Sequence, residues 1–451
     1  MKIHPSDLAF DELLAFPEEG HGELLDHLER CADCRARLRE LAEVRPLHAS
    51  SAAAGGALSA VPAEADFERL VAAAERLHAA MAGERRAAET FLPELLALSA
   101  AERRQALDDD PGLVTWGLLE RLVEHGREQS LASPRRGQEL GELALDLAAR
   151  LDAERYRPEL VEDLRARVWG MLGNALRLLA DHAGAQRAFD TANAHLRRGS
   201  QDPLERAMLL DLRASLRRDQ RQLSSAARLW QRALDIFLEL GERHRAGRAL
   251  VSLSTAHNVA GRPEQAIELL YRALDLIDDR REPRVLLCAR HDLIDDLADA
   301  GRFAEAERLF AETLPLYESL EQGEPAIRQR RQWVEAKILG GRGQLGRAEG
   351  LLAAARDGFL ASGMVYDAAL VTLDLAALYF QQGRHADLRR VAEEMLPTFS
   401  GLALHREALA ALAFLRTALE AERADRGLLS TVATCLKRAQ YDPAAFTPPA
   451  A

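Results

Sequence analysis

A spaced pattern of small and large residues recurs along the chain and limits its possible folds more than any other sequence feature. In the clearest copy, Ala185 is followed by Phe189 four residues later and by Ala192 three residues after that. This spacing places the three side chains on one stripe of a helix. Small residues let two helices pack closely, and the large residue fills the gap to the next helical pair. Copies follow at intervals of 40 to 42 residues, and their first residues are Ala226, Ala266, Ala306, Ala348 and, in a weaker copy, Leu388.

The residues around these copies complete a known repeat signature. Trp169, Leu172, Gly173 and Leu176 precede the clearest copy, and they match the Trp-x2-Leu-Gly-x2-Tyr phrase that opens a tetratricopeptide repeat. A turn glycine stands five residues before each of four copies, at Gly261, Gly301, Gly343 and Gly383. The chain resembles the tetratricopeptide repeat (TPR) proteins, although its period is longer than their usual ~34 residues. The resemblance implies an all-α fold in which helical hairpins stack into an α-solenoid.

Changes in composition divide the chain into four expected segments. Residues 1–45 contain two short helices and form a small helical domain. Residues 46–63 are rich in Ala, Ser and Gly and have no acidic residue, lysine or arginine, which is typical of a flexible linker. Residues 64–165 form a helical region with a diverged hairpin. Residues 166–441 form the TPR-like α-solenoid, which ends in a capping hairpin.

An eight-residue motif near the N-terminus brings together side chains that bind metals. His27, Cys31 and Cys34 have the spacing His-x3-Cys-x2-Cys, so that they fall on one stripe of a helix. One imidazole and two thiolates are three of the four ligands of a tetrahedral zinc site. A segment of about 45 residues is too small to be stable through its hydrophobic core alone, and a bound metal would stabilise it.

Residues 3–41 resemble the zinc-binding anti-sigma domain of bacteria. The resemblance is carried by His4 with Pro5, by the leucine-rich first helix and by the motif from His27 to Cys34. In that family a ligand near the start of the first helix completes the site, which implies His4 as the fourth ligand and leaves His21 as the alternative. The resemblance implies one structural Zn2+ and a sigma factor as partner, and a redox role of the cysteine pair stays open.

Charge and hydropathy exclude several classes of function. The formal net charge is −12, and acidic residues alternate with arginines without a long basic stripe, which excludes direct nucleic-acid binding. The N-terminus lacks the apolar core of a secretory signal, and the longest apolar run, near residues 408–415, is too short to cross a bilayer. We therefore expect a cytoplasmic protein. The chain has three lysines, which we interpret as a coding bias, and they are Lys2, Lys337 and Lys437.

No catalytic or phosphate-binding motif is present, so the sequence predicts a non-enzymatic protein with no small-molecule substrate. The functional surface is then the concave face of the array, which the first helix of each hairpin lines. Trp333 is the main candidate because exposed aromatic side chains often anchor a bound peptide, with core packing as the alternative. The predicted partner-binding residues are Asn174, His291, Asp295, Trp333 and Lys337, and Asp211, Ser215 and Thr255 share their register.

Two functions fit these features, and both predict a protein or peptide partner. The first is a cytoplasmic regulator in which the zinc domain binds a sigma factor or a similar partner while the TPR array senses a signal. The alternative is a TPR scaffold or adaptor whose zinc domain is only a docking module, with no sigma-factor role.

Overall fold

The structure, a computed structural model, describes residues 64–400 and 426–441, together with Cys34 and seven positions between 409 and 417. These residues form helices and short turns, and no strand occurs among them. The described α-helices, in chain order, are α1 Glu64–Ala97, α2 Ala100–Asp109, α3 Trp116–Ala132, α4 Pro134–Arg150, α5 Ala153–Tyr156, α6 Pro158–Leu178, α7 His182–Arg198, α8 Pro203–Asp219, α9 Leu223–Glu239, α10 Arg243–Val259, α11 Pro263–Leu276, α12 Pro283–Asp299, α13 Phe303–Glu321, α14 Pro325–Gly341, α15 Leu345–Ala361, α16 Val365–Gln381, α17 His385–Ser400 and α18 Arg426–Tyr441.

The chain divides into two compact units between Leu209 and Leu210, inside α8. In unit 1, α1 packs against α3, and α3 and α4 form a hairpin in the region where the sequence predicts a diverged one. Helix α6 packs against both α4 and α7. Residue 166, where the repeat pattern first appears, lies within α6.

Unit 2 contains a regular series of hairpins. The pairs α10 with α11, α12 with α13, α14 with α15 and α16 with α17 each pack together. The first helices of neighbouring pairs also contact one another directly, from α10 through α12 and α14 to α16. These first helices therefore form one continuous surface within unit 2, which we call the inner face.

The recurring small residues lie where the hairpins pack. The first alanine of each of the five clear copies is fully buried, with 0% of its surface exposed, and these residues are Ala185, Ala226, Ala266, Ala306 and Ala348. The large residues between them are buried in four of these copies, including Phe189 and Trp230 at 0%, and Phe310 is half-buried. The all-α, TPR-like solenoid predicted from the sequence is confirmed.

Local sequence explains where the helices begin and end. Helices α4, α6, α8, α11, α12 and α14 start at a proline, whose φ suits a first helical position that needs no N–H donor. The turn between α12 and α13 contains Gly301 at a φ of 75°, a conformation that costs other residues energy. The other three predicted turn glycines also have positive φ.

The last helix, α18, joins the core of unit 2 through its apolar side. Leu429, Val432 and Leu436 are buried in the cluster that α16 and α17 form. Helix α18 also contacts α10, well away from that cluster along the array.

The predicted zinc domain and linker, residues 1–63, lie outside the described residues apart from Cys34. Cys34 lies in a helix and is buried. None of the described helices combines the length and the apolar composition that a membrane span requires.

Candidate partner-binding face

One side of α12 presents four carboxyl groups to the inner face. Asp292, Asp295, Asp296 and Asp299 follow the spacing i, i+3, i+4 and i+7, which places them along one stripe of the helix. Asp296 is buried, Asp292 and Asp295 are half-buried, and Asp299 is the most exposed of the four. Such a row of like charges needs cations or protons to be tolerated.

Two lysines from distant parts of the chain supply cations to this row. Lys337 of α14 forms ion pairs with Asp295 and, at 2.5 Å, with Asp299. Lys437 of α18 donates a hydrogen bond of 2.8 Å to the second oxygen of Asp299. We call Asp295, Asp299, Lys337 and Lys437 the charged cluster. Two of the three lysines in the chain thus meet at one carboxylate.

Asp299 and Lys337 of the charged cluster are ionised at neutral pH. Burial acts to raise the pKa of Asp299, but the Lys337 and Lys437 ammonium groups outweigh it and hold that pKa well below its usual range. Burial acts to lower the pKa of Lys337, and the carboxylates of Asp295 and Asp299 reverse this effect and raise it. Both partners therefore keep their charges in the folded protein.

Trp333 is held in place by three neighbours. Its indole Nε1 donates a hydrogen bond of 2.6 Å to Asp374 on α16. Its ring meets Phe359 edge-to-face, with centroids 6.1 Å apart, and the Lys337 ammonium lies 6.0 Å from the ring centroid. The side chain is half-buried, so Trp333 both packs against the core and contributes to the inner face.

His291 lies on the same helix as the carboxyl row and is neutral at pH 7. Burial lowers its pKa to about 4, against the opposing effect of Asp295. Its Nδ1 is 2.8 Å from the hydroxyl of Tyr317, a residue that is 1% exposed. His291 thus links the inner face to the second helix of its own hairpin.

The other two carboxyl groups of the row bind protons more tightly than usual. Burial raises the pKa of Asp292 to about 7. Burial, followed by the charges of Asp295 and Asp292, raises the pKa of Asp296 to about 8. The Asn258 side chain of α10 donates a hydrogen bond to Asp296.

Four of the five predicted partner-binding residues come together on α12 and α14: His291, Asp295, Trp333 and Lys337. Asn174 does not join them, because it lies in unit 1, where it accepts a hydrogen bond of 2.9 Å from Arg177. Thr255 lies on α10, and Asp211 and Ser215 lie on α8.

Sequence reasoning missed three members of this surface: Asp299, Asp374 and Lys437. The rarity of lysine was the available signal, because the lysine ammonium is a compact charge that arginine does not replace. A single ammonium can contact two carboxylates within one helical turn, as Lys337 does.

The described residues contain no group of three or more His, Cys, Asp or Glu side chains arranged to hold a metal ion. The predicted ligands His4, His27 and Cys31, and the alternative His21, lie outside the described residues. The zinc site therefore stays a prediction.

Comparison with known proteins defines the class of this chain through its fold. No protein-family model matches the sequence, and no curated protein matches it. Among solved structures, 33 chains match. A crystal structure of a Rap protein complexed with competence and sporulation factor has a TM-score of 0.53 at 12% identity, over 70% of this chain and 85% of that one. The crystal structure of aspartyl phosphate phosphatase F from Bacillus subtilis has a TM-score of 0.49 at 13% identity, over 90% and 96% of the two chains.

The first of these similarities shows the fold. The chain is an all-α helical-repeat protein of TPR-like architecture, and its fold resembles that of the Rap protein.

Proposed function

We propose that the chain is a non-enzymatic scaffold that binds a protein or peptide partner on the inner face of unit 2. The observation that carries this proposal is the convergence of Trp333, Asp295 and Lys337 on one continuous surface of first helices. Helical repeats use extended surfaces of this kind to bind their partners. The Rap protein of similar fold was solved with a bound factor, which supports the same use of the fold here.

The chemistry of the surface favours a cationic partner. Asp295 and Asp299 of α12 and Asp374 of α16 lie on the inner face near a half-buried aromatic ring. An aromatic side chain that anchors the partner, with charged side chains around it, is a common arrangement at the centre of a binding site. A partner with Lys or Arg next to apolar side chains would satisfy both features.

The test uses the full-length chain and a displayed library of random peptides. Peptides that the chain selects are synthesised, and their affinities are measured by fluorescence anisotropy. We expect Trp333→Ala to weaken binding at least about tenfold, because truncation of a central aromatic side chain typically has this effect. Circular dichroism verifies that the variant remains folded.

Tyr271 provides the matched control, because it is an aromatic side chain on the second helix α11 and is 41% exposed. We expect Tyr271→Ala to leave the affinity within about twofold of wild type, as is usual outside a binding site. Equal affinities for wild type and Trp333→Ala would place the partner elsewhere and disprove the proposal.

A finer form of the proposal concerns the N-terminal segment. Residues 3–41 resemble a zinc-binding anti-sigma domain, which supports a sigma factor as a partner of that segment. Full-length chain purified from its native host should carry a sigma factor, and a Cys31→Ser, Cys34→Ser variant should lose it. If neither protein carries a sigma factor, the segment is a docking module of another kind.

A further inference from the structure

Helix α18 extends from the last hairpins of unit 2 to hairpins much earlier in the chain. Its first three turns are fixed by apolar contacts, since Leu429, Val432 and Leu436 are buried in the core next to α16 and α17. Its last turn contacts α10 and α12 instead. The helix therefore has an apolar part that anchors it and a polar end that lies on the inner face.

The polar end makes contacts at three successive hairpins. Lys437 binds Asp299 at the end of α12 with an N–O distance of 2.8 Å. Arg438 Nε donates a hydrogen bond of 3.1 Å to the carbonyl oxygen of Val259 at the end of α10. Arg221, after α8, donates a hydrogen bond to the carbonyl of Ala439. The last turn of α18 thus lies along the line of these helix ends.

The turn after α10 leaves space for this contact. A Cβ atom built on Gly261 would lie 2.9 Å from Nη2 of Arg438, closer than such contacts normally come. Glycine at this position, with a φ of 76°, lets the guanidinium approach the backbone. Gly261 therefore both allows the turn after α10 and leaves space for the Arg438 side chain of α18.

Ala439, a small side chain, is the buried residue of the polar end, and the ionic contacts beside it are of the kind that water and competing ions can replace. The side chains of Lys437 and Asp299 are 34% and 37% exposed, and ion pairs at such exposure contribute about 0–1 kcal/mol. The apolar anchor, in contrast, is fully buried at Val432 and Leu436. The basic end can consequently leave the inner face while the rest of α18 stays attached.

We propose that the basic end of α18 is a built-in occupant of the inner face, which a cationic helical segment of the partner displaces when it binds. The inference rests on the proposed function of the inner face. Departure of Lys437 removes one of the two ammonium groups at Asp299 and exposes a carboxylate that an incoming Lys or Arg can pair with. A tethered occupant competes at a high effective concentration, so the inner face is closed to weak ligands.

The test measures competition with a defined probe. The probe is a fluorescent synthetic peptide of residues 426–441 with Cys435→Ser, and its counterpart carries glutamate in place of Lys437 and Arg438. The proteins are the full chain and its Lys437→Glu, Arg438→Glu variant, which keeps the apolar anchor. We expect the variant to bind the basic probe at least about tenfold more tightly than wild type and to bind the acidic probe weakly.

Two controls make the result specific. Ser430 is an exposed residue of α18, so Ser430→Ala should bind the basic probe as wild type does. A chain that ends at Leu436 lacks the basic end without any charge reversal, and it should bind the basic probe as tightly as the double variant. Amide exchange of residues 426–441 in wild type should quicken near Lys437 when a library-selected peptide is added.

Three outcomes would overturn the inference. Equal affinity of the basic probe for wild type and double variant would show that α18 does not compete, and so would unchanged amide exchange on addition of a selected peptide. Both results leave the proposed function standing, because that function is tested separately with Trp333→Ala. Equal binding of basic and acidic probes by the double variant would show that charge does not select the occupant.

Discussion

Gly173 of α6 lies directly against the ring of Phe189 on α7, so that a Cβ atom on this glycine would come within 2.6 Å of the phenylalanine Cε1. Both residues belong to the repeat signature. The contact shows why the signature has glycine here, since a side chain at this position would force the two helices apart. Phe189 is fully buried, which leaves it no space to move aside.

Overpacking a core usually costs about 1–3 kcal/mol, and we therefore expect Gly173→Ala to lower the free energy of unfolding of unit 1 by up to about 2 kcal/mol. The net value allows for the gain of about 1 kcal/mol that alanine brings to a helix interior. The measurement is urea unfolding followed by circular dichroism. Gly83 in α1 is the control, because a Cβ atom there meets only Arg86 at 3.9 Å. Gly83→Ala should be neutral or stabilising, and a stabilising effect of Gly173→Ala would contradict the packing described.

The two lysines that share Asp299 should differ in their importance for stability. The side chain of Lys337 is 11% exposed, and its removal leaves a half-buried carboxylate of Asp295 without its ammonium partner. We expect Lys337→Met to cost about 3 kcal/mol, as is typical when one member of a buried ion pair is lost. Lys437→Met removes a more exposed group and should cost about 1 kcal/mol or less. Urea unfolding of both variants measures these two losses of stability, and equal losses would refute the predicted difference.

Asp296 should make the stability of unit 2 depend on pH. Its pKa in the folded chain is about 8, whereas the pKa of an unfolded aspartate is about 4. The folded state thus binds the proton more tightly than the unfolded state. The stabilisation that this protonation gives is fully present below about pH 4 and is lost progressively as the pH rises towards 8.

Replacement of Asp296 by asparagine keeps an acceptor for Asn258 and removes the ionisable group. We expect Asp296→Asn to be more stable than wild type at pH 8 by about 1 kcal/mol or more, with the difference shrinking as the pH falls to 5. Thermal unfolding at pH 5, 6.5 and 8 is the measurement. Asp275 is exposed on α11, and Asp275→Asn should behave as wild type at each pH. A constant difference across this range would show that Asp296 does not titrate as described.

The predicted zinc site gives a further measurable outcome. Full-length protein should contain about one zinc per chain, the amount expected of a single four-ligand structural site. The Cys31→Ser, Cys34→Ser variant should contain none, and His4→Ala should lose most of the metal. Inductively coupled plasma mass spectrometry measures the content. If His4→Ala retains zinc and His21→Ala loses it, the fourth ligand is His21 instead.

Local periodicity explains why so much of the fold could be predicted from the sequence. Each hairpin repeats the same small and large residues at the same spacing, so Ala226 and Ala266 could be assigned to the helix packing without knowledge of their neighbours. The positive φ of Gly301 likewise follows from a turn that recurs at a fixed distance from the alanine. Such features depend on contacts within one hairpin or with the next.

The candidate site was predictable only where it follows the same periodicity. His291 and Asp295 lie on one stripe of α12, and Trp333 and Lys337 lie on one stripe of α14, so their grouping follows from the register. Lys437 could not be placed this way, because its contact with Asp299 depends on how the last helix packs across the array. The interpretation of the rare lysines as a coding bias overlooked this.

The contacts of α18 join residues that are 138, 179 and 218 positions apart in the chain. Helical repeats usually contain contacts only between neighbours, so that their parts can form as soon as they are synthesised. Here α18 connects hairpins that are synthesised long before it. Unit 2 therefore completes its fold only after α18 has been synthesised, and a nascent chain presents its inner face to other proteins before α18 can cover it.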